Sequence, residues 1–82
     1  MNNKQIIAKA VEKAQVIART NGITIGATVA HPSYELACEL VEIKENVAVL
    51  EVDGNFLEFP LDEIFDVHLA YDIALQIQNQ LY

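Results

Sequence analysis

Residues 47–60 read VAVLEVDGNFLEFP, two apolar runs that are separated by Asp53-Gly54. Asp-Gly is a favoured pair for the two-residue type I′ turn, whose twist matches that of paired antiparallel strands. The stretch therefore predicts a β-hairpin. Its turn predicts three pairs of cross-strand partners: Val52 with Asn55, Leu50 with Leu57, and Ala48 with Phe59.

The predicted hairpin has two unlike faces, because successive strand residues point to opposite sides of a sheet. One face is wholly apolar and is expected to lie on the core: Ala48, Leu50, Val52, Leu57 and Phe59. The other face is mixed: Val47, Val49, Glu51, Phe56 and Glu58. Its three apolar members, Val47, Val49 and Phe56, lack a clear cover within the chain, so we expect them to form an interface.

Two further strands are predicted before the hairpin. Over residues 23–30, Ile23, Ile25, Ala27 and Val29 alternate with Thr24, Gly26, Thr28 and Ala30, which is typical of a half-buried strand, and a His-Pro-Ser turn ends it. Residues 35–43 form the second strand, whose apolar positions change face between Leu40 and Val41. That change predicts a β-bulge or sharp bend. Residues 44–46 are expected to form the turn into the hairpin.

A helix is predicted over residues 3–20, where apolar side chains recur on one face with the helical period. Asn2 or Asn3 is placed to cap its first turn, and Asn2 has Gln5 three positions later, a weak form of the capping box. Asn21-Gly22 predicts a left-handed end to the helix.

The last segment, residues 67–82, fits two patterns. Its large side chains alternate as in a strand, yet they also occupy about 200° of a helical wheel. Abundant alanine, leucine and glutamine, a possible cap at Asp66 and a length unusual for a strand favour a helix. Residues 60–64 before it are expected to form a tight turn or a short helical turn.

The predicted order is α-β-β-β-β-α, a single α+β domain over residues 1–82 with a four-stranded antiparallel meander between two helices. The bent second strand, the tight turns and the short turn after Pro60 are similar in pattern to a strongly curved SH3-like or Sm-like half-barrel. No family motif is matched residue by residue, and such a fold does not by itself fix a function.

Charge is unevenly distributed in this chain of net charge −7. Residues 1–22 hold four basic residues and one acid, a net +3, whereas residues 23–82 hold one lysine and eleven acids, a net −10. An acidic body repels phosphate backbones, so nucleic-acid binding is not expected. No apolar run is long enough for a signal peptide or a membrane span. One cysteine, Cys38, excludes an intramolecular disulfide, and a cytoplasmic location is expected.

No catalytic, cofactor or metal site is predicted. Cys38 lies among apolar neighbours and is interpreted as a core residue. His31, Ser33 and Tyr34 suit the rim of a pocket, but residues in a proline turn more often satisfy their own backbone. His68 and Asp72 would share one helical face, but two ligands are too few to form a metal site. The acids at positions 62, 63 and 66 lack the spacing of a calcium loop and complement the positive end of a helix.

The sequence therefore favours function by contact rather than by catalysis. The first hypothesis is an interaction or regulatory module that forms a homodimer through Val47, Val49 and Phe56. A second hypothesis is an acidic decoy or inhibitor that binds a basic surface of another protein. Its acidic face would be formed by Glu35, Glu39, Glu42, Glu45, Glu51, Asp53 and Glu58. A third hypothesis is a small-molecule binding domain, with a pocket in the bent sheet.

Overall fold

The computed structural model describes residues 2–81, with the side chains of Glu35 and Leu81 excepted. It confirms an α+β fold with a helix at each end of an antiparallel sheet, but the described sheet has five strands rather than the four predicted. The elements are α1 (Asn3–Asn21), β1 (Thr28–His31), β2 (Tyr34–Lys44), β3 (Val47–Val52), β4 (Asn55–Pro60), a 3-10 helix (Leu61–Glu63), β5 (Phe65–Asp66) and α2 (Val67–Leu81). The strand order across the sheet is β4-β3-β2-β1-β5.

The β3–β4 hairpin forms as predicted. Asp53 and Gly54 have φ angles of 51° and 80°, the two positive values that a type I′ turn requires. All three predicted pairs are present: Val52 with Asn55, Leu50 with Leu57, and Ala48 with Phe59. Ala48 and Leu50 are buried in one cluster, and Val52, Leu57 and Phe59 pack against it, so the predicted apolar face of the hairpin lies on the core.

The predicted bulge in β2 is also confirmed. Register with β3 shifts between Leu40 and Glu42, so that Val41 is the extra residue. Leu40 is paired with Leu50 on the core side, whereas Glu42 beyond the bulge is paired with Val49 on the opposite face. The bulge therefore reconciles the two phases of apolar residues along this strand.

The first strand is shorter than predicted and begins at Thr28 rather than residue 23. Residues 24–27 form a turn in which the Ala27 amide donates to the carbonyl of Thr24 at 3.0 Å. Gly26 has a φ of 95°, which interrupts the extended backbone. Its amide donates to the Leu40 carbonyl at 2.7 Å, so the turn is tied to β2 beside the bulge. The alternation over residues 23–27 was therefore wrongly interpreted as a strand.

The fifth strand, Phe65–Asp66, was missed by the sequence analysis. It pairs antiparallel with β1, Val29 opposite Asp66 and Ala30 opposite Phe65. Two residues are too few to show a periodicity, so the sequence pattern could not predict this strand. It forms through its pairing with β1, which is distant in the chain. The short helical turn expected before it is present as the 3-10 helix.

Both helices begin with side-chain caps. The Gln5 amide donates to Asn2 Oδ1 at 2.9 Å and the Asn2 amide donates to Gln5 Oε1 at 3.0 Å, which confirms the capping box. Gly22 has a positive φ of 80° but a ψ of 172°, so the predicted left-handed helical end is wrong in detail. Residues 67–81 are helical, and Asp66 Oδ1 accepts from the Leu69 amide at 3.0 Å.

Buried side chains form two clusters. One joins the helices to β1 and β5: Ile6, Ala10, Ala14, Ala30, Phe65, Ala70, Ile73 and Ile77. The other, which we call the sheet cluster, is formed mainly by β1, β2 and β3: Val29, Cys38, Leu40, Ala48, Leu50 and Ile64. Both helices pack against β5, with further contacts to β1 and the 3-10 helix rather than extensively to β2, β3 or β4. The side of β2–β4 that faces away from the sheet cluster is consequently left without a helical cover.

Candidate interaction surface

Three rows of cross-strand partners build this uncovered side, which we call the outer face. Partners in an antiparallel ladder project to the same side of a sheet, so the register defines each row. The rows are Glu39–Glu51–Phe56, Glu42–Val49–Glu58 and Lys44–Val47–Pro60. The bulge is what brings Glu42 onto this side with Glu39, and four glutamates therefore share one face.

The outer face is strongly acidic. Glu39, Glu42 and Glu58 are exposed and Glu51 is half-buried. Glu39 and Glu51 are direct cross-strand partners, an arrangement of like charges that costs stability. Among the described residues, the one cation in an ion pair with these glutamates is Lys44, whose Nζ lies 3.9 Å from Glu42 Oε2. Both partners are exposed, so that pair contributes little.

The predicted apolar patch on this face is smaller than expected. Phe56 is 66% exposed, but Val49 is only 8% exposed within the single chain. Val49 lies on the middle strand between Glu42 and Glu58, whose side chains flank it on both sides. Val47 is half-buried. Phe56 is therefore the main apolar element of the outer face, and the expectation that Val49 is uncovered is wrong.

The remaining predicted acids do not join this cluster. Glu45 lies in the β2–β3 turn with a φ of 55°, and Asp53 lies in the β3–β4 turn. These turns are at opposite ends of β3, beyond its paired residues. The side chain of Glu35 lies outside the described part of the structure. Of the predicted acidic residues, the four on the outer face form the continuous surface.

A second polar constellation connects the β1–β2 turn to the 3-10 helix. His31 Nε2 lies 2.7 Å from Glu63 Oε1, and His31 Nδ1 lies 2.7 Å from Ser33 Oγ. The Ser33 amide also donates to Nδ1 at 3.0 Å. Because a backbone amide can only donate, Nδ1 is the acceptor and Nε2 carries the hydrogen that is donated to Glu63. The ring of His31 stacks on Phe59, with centroids 4.4 Å apart.

The order serine–histidine–carboxylate is the order of a nucleophile, a base and an orienting group. Here, however, the backbone amide of Ser33 competes with its own hydroxyl for the single lone pair of Nδ1. The imidazole of His31 is also held in place by the ring of Phe59. These contacts fit a structural role for His31, which connects the β1–β2 turn to the 3-10 helix. Sequence reasoning placed His31 and Ser33 together but missed Glu63, because that residue is 32 positions away.

The other predicted reactive groups are not assembled into a site. Cys38 is buried, and its Sγ donates to the Leu36 carbonyl at 3.5 Å. Burial raises the pKa of the Cys38 thiol, so this group stays protonated and unreactive at neutral pH. His68 and Asp72 are both exposed on α2. Within residues 2–81, no three histidine, cysteine or acidic side chains are grouped to hold a metal ion.

An exposed apolar surface on the helices was also missed. Ile7 is 58% exposed, Tyr71 is 64% exposed and Leu75 is 40% exposed. The three side chains line one groove between the first turns of α1 and residues 71–78 of α2. Farther along α1, Ala10 and Val11 lie beside Val67 and Ala70, so the two helices run antiparallel. All three belong to the apolar arcs from which the two helices were predicted. The apolar arc of α2, about 200° wide, could have indicated this exposure, because a helix that packs on a core through one face needs a narrower apolar stripe.

Comparison of the chain with protein-family models, with curated proteins and with solved structures gave no match. In the part of the chain that the structure describes, neither helix has the length and apolar character needed to cross a membrane.

Proposed function

We propose that this protein is a small non-catalytic interaction module that binds a basic segment of another protein through the outer face. The observation that supports this most directly is the gathering of four glutamates around Phe56 on a side of the sheet that no helix covers. A partner rich in lysine or arginine is the complement of this charge.

Charge complementarity gives the proposed contact its physical basis. Glu39 and Glu51 repel each other in the free protein because they are opposite one another. A lysine or arginine that is placed between them offsets this repulsion with two attractive interactions. Binding a basic side chain is therefore favoured beyond the ordinary attraction of one exposed pair.

Phe56 provides an apolar anchor within the same surface. Its ring is on the edge strand β4, directly beside Glu51 in the register. Aromatic residues are frequent among those that dominate binding energy, and a cation over an aromatic face gains further attraction. A segment in which basic residues flank an apolar side chain fits this combination.

The acidic face argues against the homodimer first expected through Val47, Val49 and Phe56. A two-fold contact there would bring two sets of four glutamates together, and Val49 has little surface left to bury. We therefore favour a basic partner over a second copy at this face. An acidic decoy that occupies the basic site of another protein would use the same surface.

We also propose that the curved sheet is a half-barrel of the SH3-like or Sm-like kind. Support comes from the strand order β4-β3-β2-β1-β5, the bulge in β2 and the 3-10 helix before β5. In such an arrangement the β1–β5 pairing closes one end of the meander. The function proposed above does not depend on this likeness.

Calorimetric titration with a synthetic peptide of alternating arginine and leucine tests the proposed contact. We expect binding that weakens steeply with salt, and an affinity about tenfold lower for the double variant Glu42→Gln/Glu58→Gln, which removes two charges from the outer face. The matched control is Asp62→Asn/Asp72→Asn, which has the same net charge but an intact outer face. Equal losses in the two variants, or binding that salt leaves unchanged, would contradict the proposal.

A Phe56→Ala variant separates the apolar part of the contact from the charged part. It is expected to lower the affinity without changing the dependence on salt, because no charge is removed. Since Phe56 is mostly exposed, its loss should not unfold the sheet, and circular dichroism checks this. An unchanged affinity would remove Phe56 from the proposed site.

A further inference from the structure

We propose that the protein forms a two-fold homodimer through its helices, at a surface separate from the outer face. The surface consists of one side of α1, with Lys4, Ile7, Ala8, Val11 and Glu12, together with Tyr71 and Leu75 of α2; we call it the helical face.

The helical face exposes large apolar side chains. Ile7 contributes to the grooves on both sides of it: one shared with Tyr71 and Leu75, the other with Ala8 and Val11. Ile7 and Tyr71 are more than half exposed and Leu75 is 40% exposed; large exposed apolar side chains that lie together are typical of a surface that a partner covers. Tyrosine is among the residues enriched in such contacts.

The spacing of charge along α1 indicates that the partner is a second copy. Lys4 and Glu12 line the same groove, and each lies four residues from Ala8. When α1 of a second copy packs antiparallel across a two-fold axis at Ala8, Lys4 is opposite the partner's Glu12, and the reverse pair forms by symmetry. The offset is about 6 Å along the helix on either side of the axis, from the rise of 1.5 Å per residue.

Ala8 suits the position on the axis. It is exposed and small, so two α1 helices can approach closely there, while Ile7 and Val11 beside it supply the apolar contact. Along α1 the helical face has a cation, an apolar centre and an anion in that order. This order is complementary to its own reverse in an antiparallel copy, whereas an unrelated partner would not require it.

The charge of the whole molecule favours this orientation. Helices α1 and α2 together hold four basic and two acidic residues, a net +2, whereas residues 22–66 hold one lysine and ten acids, a net −9. Contact through the helices keeps the two acidic sheets away from the interface. Contact through the outer faces would instead bring the two acidic sheets together, and their like charges would repel each other.

Sedimentation equilibrium at micromolar concentrations tests the dimer. The expected mass is twice that of the 9.1 kDa chain. Lys4→Glu and Glu12→Lys are each expected to weaken the dimer about tenfold, because either one puts two like-charged pairs across the axis. The combined variant Lys4→Glu/Glu12→Lys restores opposite charges and is expected to return the dissociation constant to within about threefold of the original.

Lys13→Glu is the matched control, since it makes the same charge change on an exposed position of α1 outside this groove. It should leave the dimer intact. A monomer throughout the concentration range overturns the proposal. Equal weakening by Lys13→Glu and Lys4→Glu, or failure of the charge swap to restore dimerisation, overturns the two-fold contact at Ala8. Circular dichroism confirms that each variant remains folded, which is expected because every substituted residue is exposed.

Discussion

Removing one charge from the outer face is expected to stabilise this protein, which is the reverse of the usual effect of a substitution. Glu39 and Glu51 are opposite each other on β2 and β3, and neither is in an ion pair among the described residues. Replacing either with glutamine retains the shape and the methylene groups of the side chain. The main change is therefore the loss of the repulsion between two carboxylates.

The expected gain follows from the geometry of the pair. Directly opposed charges on an antiparallel sheet change stability by about 0.2–1 kcal/mol, with like charges destabilising. A gain of about 0.5 kcal/mol raises the melting temperature of a domain of this size by about 3 °C. The repulsion is screened in high salt, where the Debye length falls to about 3 Å at 1 M, so the gain should largely disappear there.

Urea denaturation of a double-mutant cycle measures this term. Glu39→Gln and Glu51→Gln should each stabilise the protein, but the double variant should gain less than the sum, because either change already removes the same repulsion. Asp72→Asn is the control, since it makes an equal charge change on α2. Gains that add without coupling, or an equal gain in the control, would show that net charge rather than the Glu39–Glu51 pair is responsible.

Two further predictions concern the cluster within the sheet. Leu50→Ala is expected to lower the free energy of unfolding by about 2–5 kcal/mol, because Leu50 is fully buried, while Leu36→Ala at an exposed position should change it little; urea denaturation compares them. Burial raises the pKa of the Cys38 thiol, so native protein should resist iodoacetamide that modifies the denatured chain. Since burial raises the folded-state pKa above that of the unfolded chain, the contribution of Cys38 to stability is present below the unfolded-state pKa and declines as pH rises through the folded-state pKa. The Cys38→Ala variant should lack that decline in a pH series of unfolding measurements.

Local chemistry explains which parts of the fold could be predicted. The Asp53-Gly54 turn fixes the register of β3 and β4 by itself, so the partners of Leu50 and Ala48 follow without knowledge of the rest of the chain. The bulge after Leu40 was equally predictable, because few other backbone features let the apolar residues of one strand change from one face to the other. The capping box at Asn2 depends on residues only three positions apart.

The failures share a different cause, which is dependence on distant partners. Residues 23–27 alternate as a strand does, yet the positive φ of Gly26 and its bond to Leu40 make the segment a turn. β5 exists because β1 pairs with it, and its two residues contain no period of their own. For the same reason the bond between His31 and Glu63 has no local signature.

The candidate surfaces were predictable in composition but not in placement. The sequence identifies the glutamates and Phe56, but it does not show that the bulge brings Glu42 to the side of Glu39. Nor does it show that Val49 is covered there, because that depends on its neighbours in β2 and β4. The exposure of Ile7 was hidden by the assumption that every apolar residue of an amphipathic helix faces the core. That assumption fails when the apolar arc is wider than one contact can bury.

The two proposed surfaces have a combined consequence for binding. A dimer through the helical face keeps both outer faces free, so one assembly holds two acidic sites. A partner with two basic segments then binds the second site at an effective concentration in the millimolar range when the connecting chain spans the distance. The Lys4→Glu variant separates this effect from the affinity of one site, because it weakens the dimer and leaves Glu39, Glu42, Glu51 and Glu58 unchanged. This variant should bind a peptide with one basic segment as tightly as the original protein does. It should bind a peptide with two basic segments more weakly than the original protein does. If the variant and the original protein bind the two-segment peptide equally, the two sites of the dimer act independently.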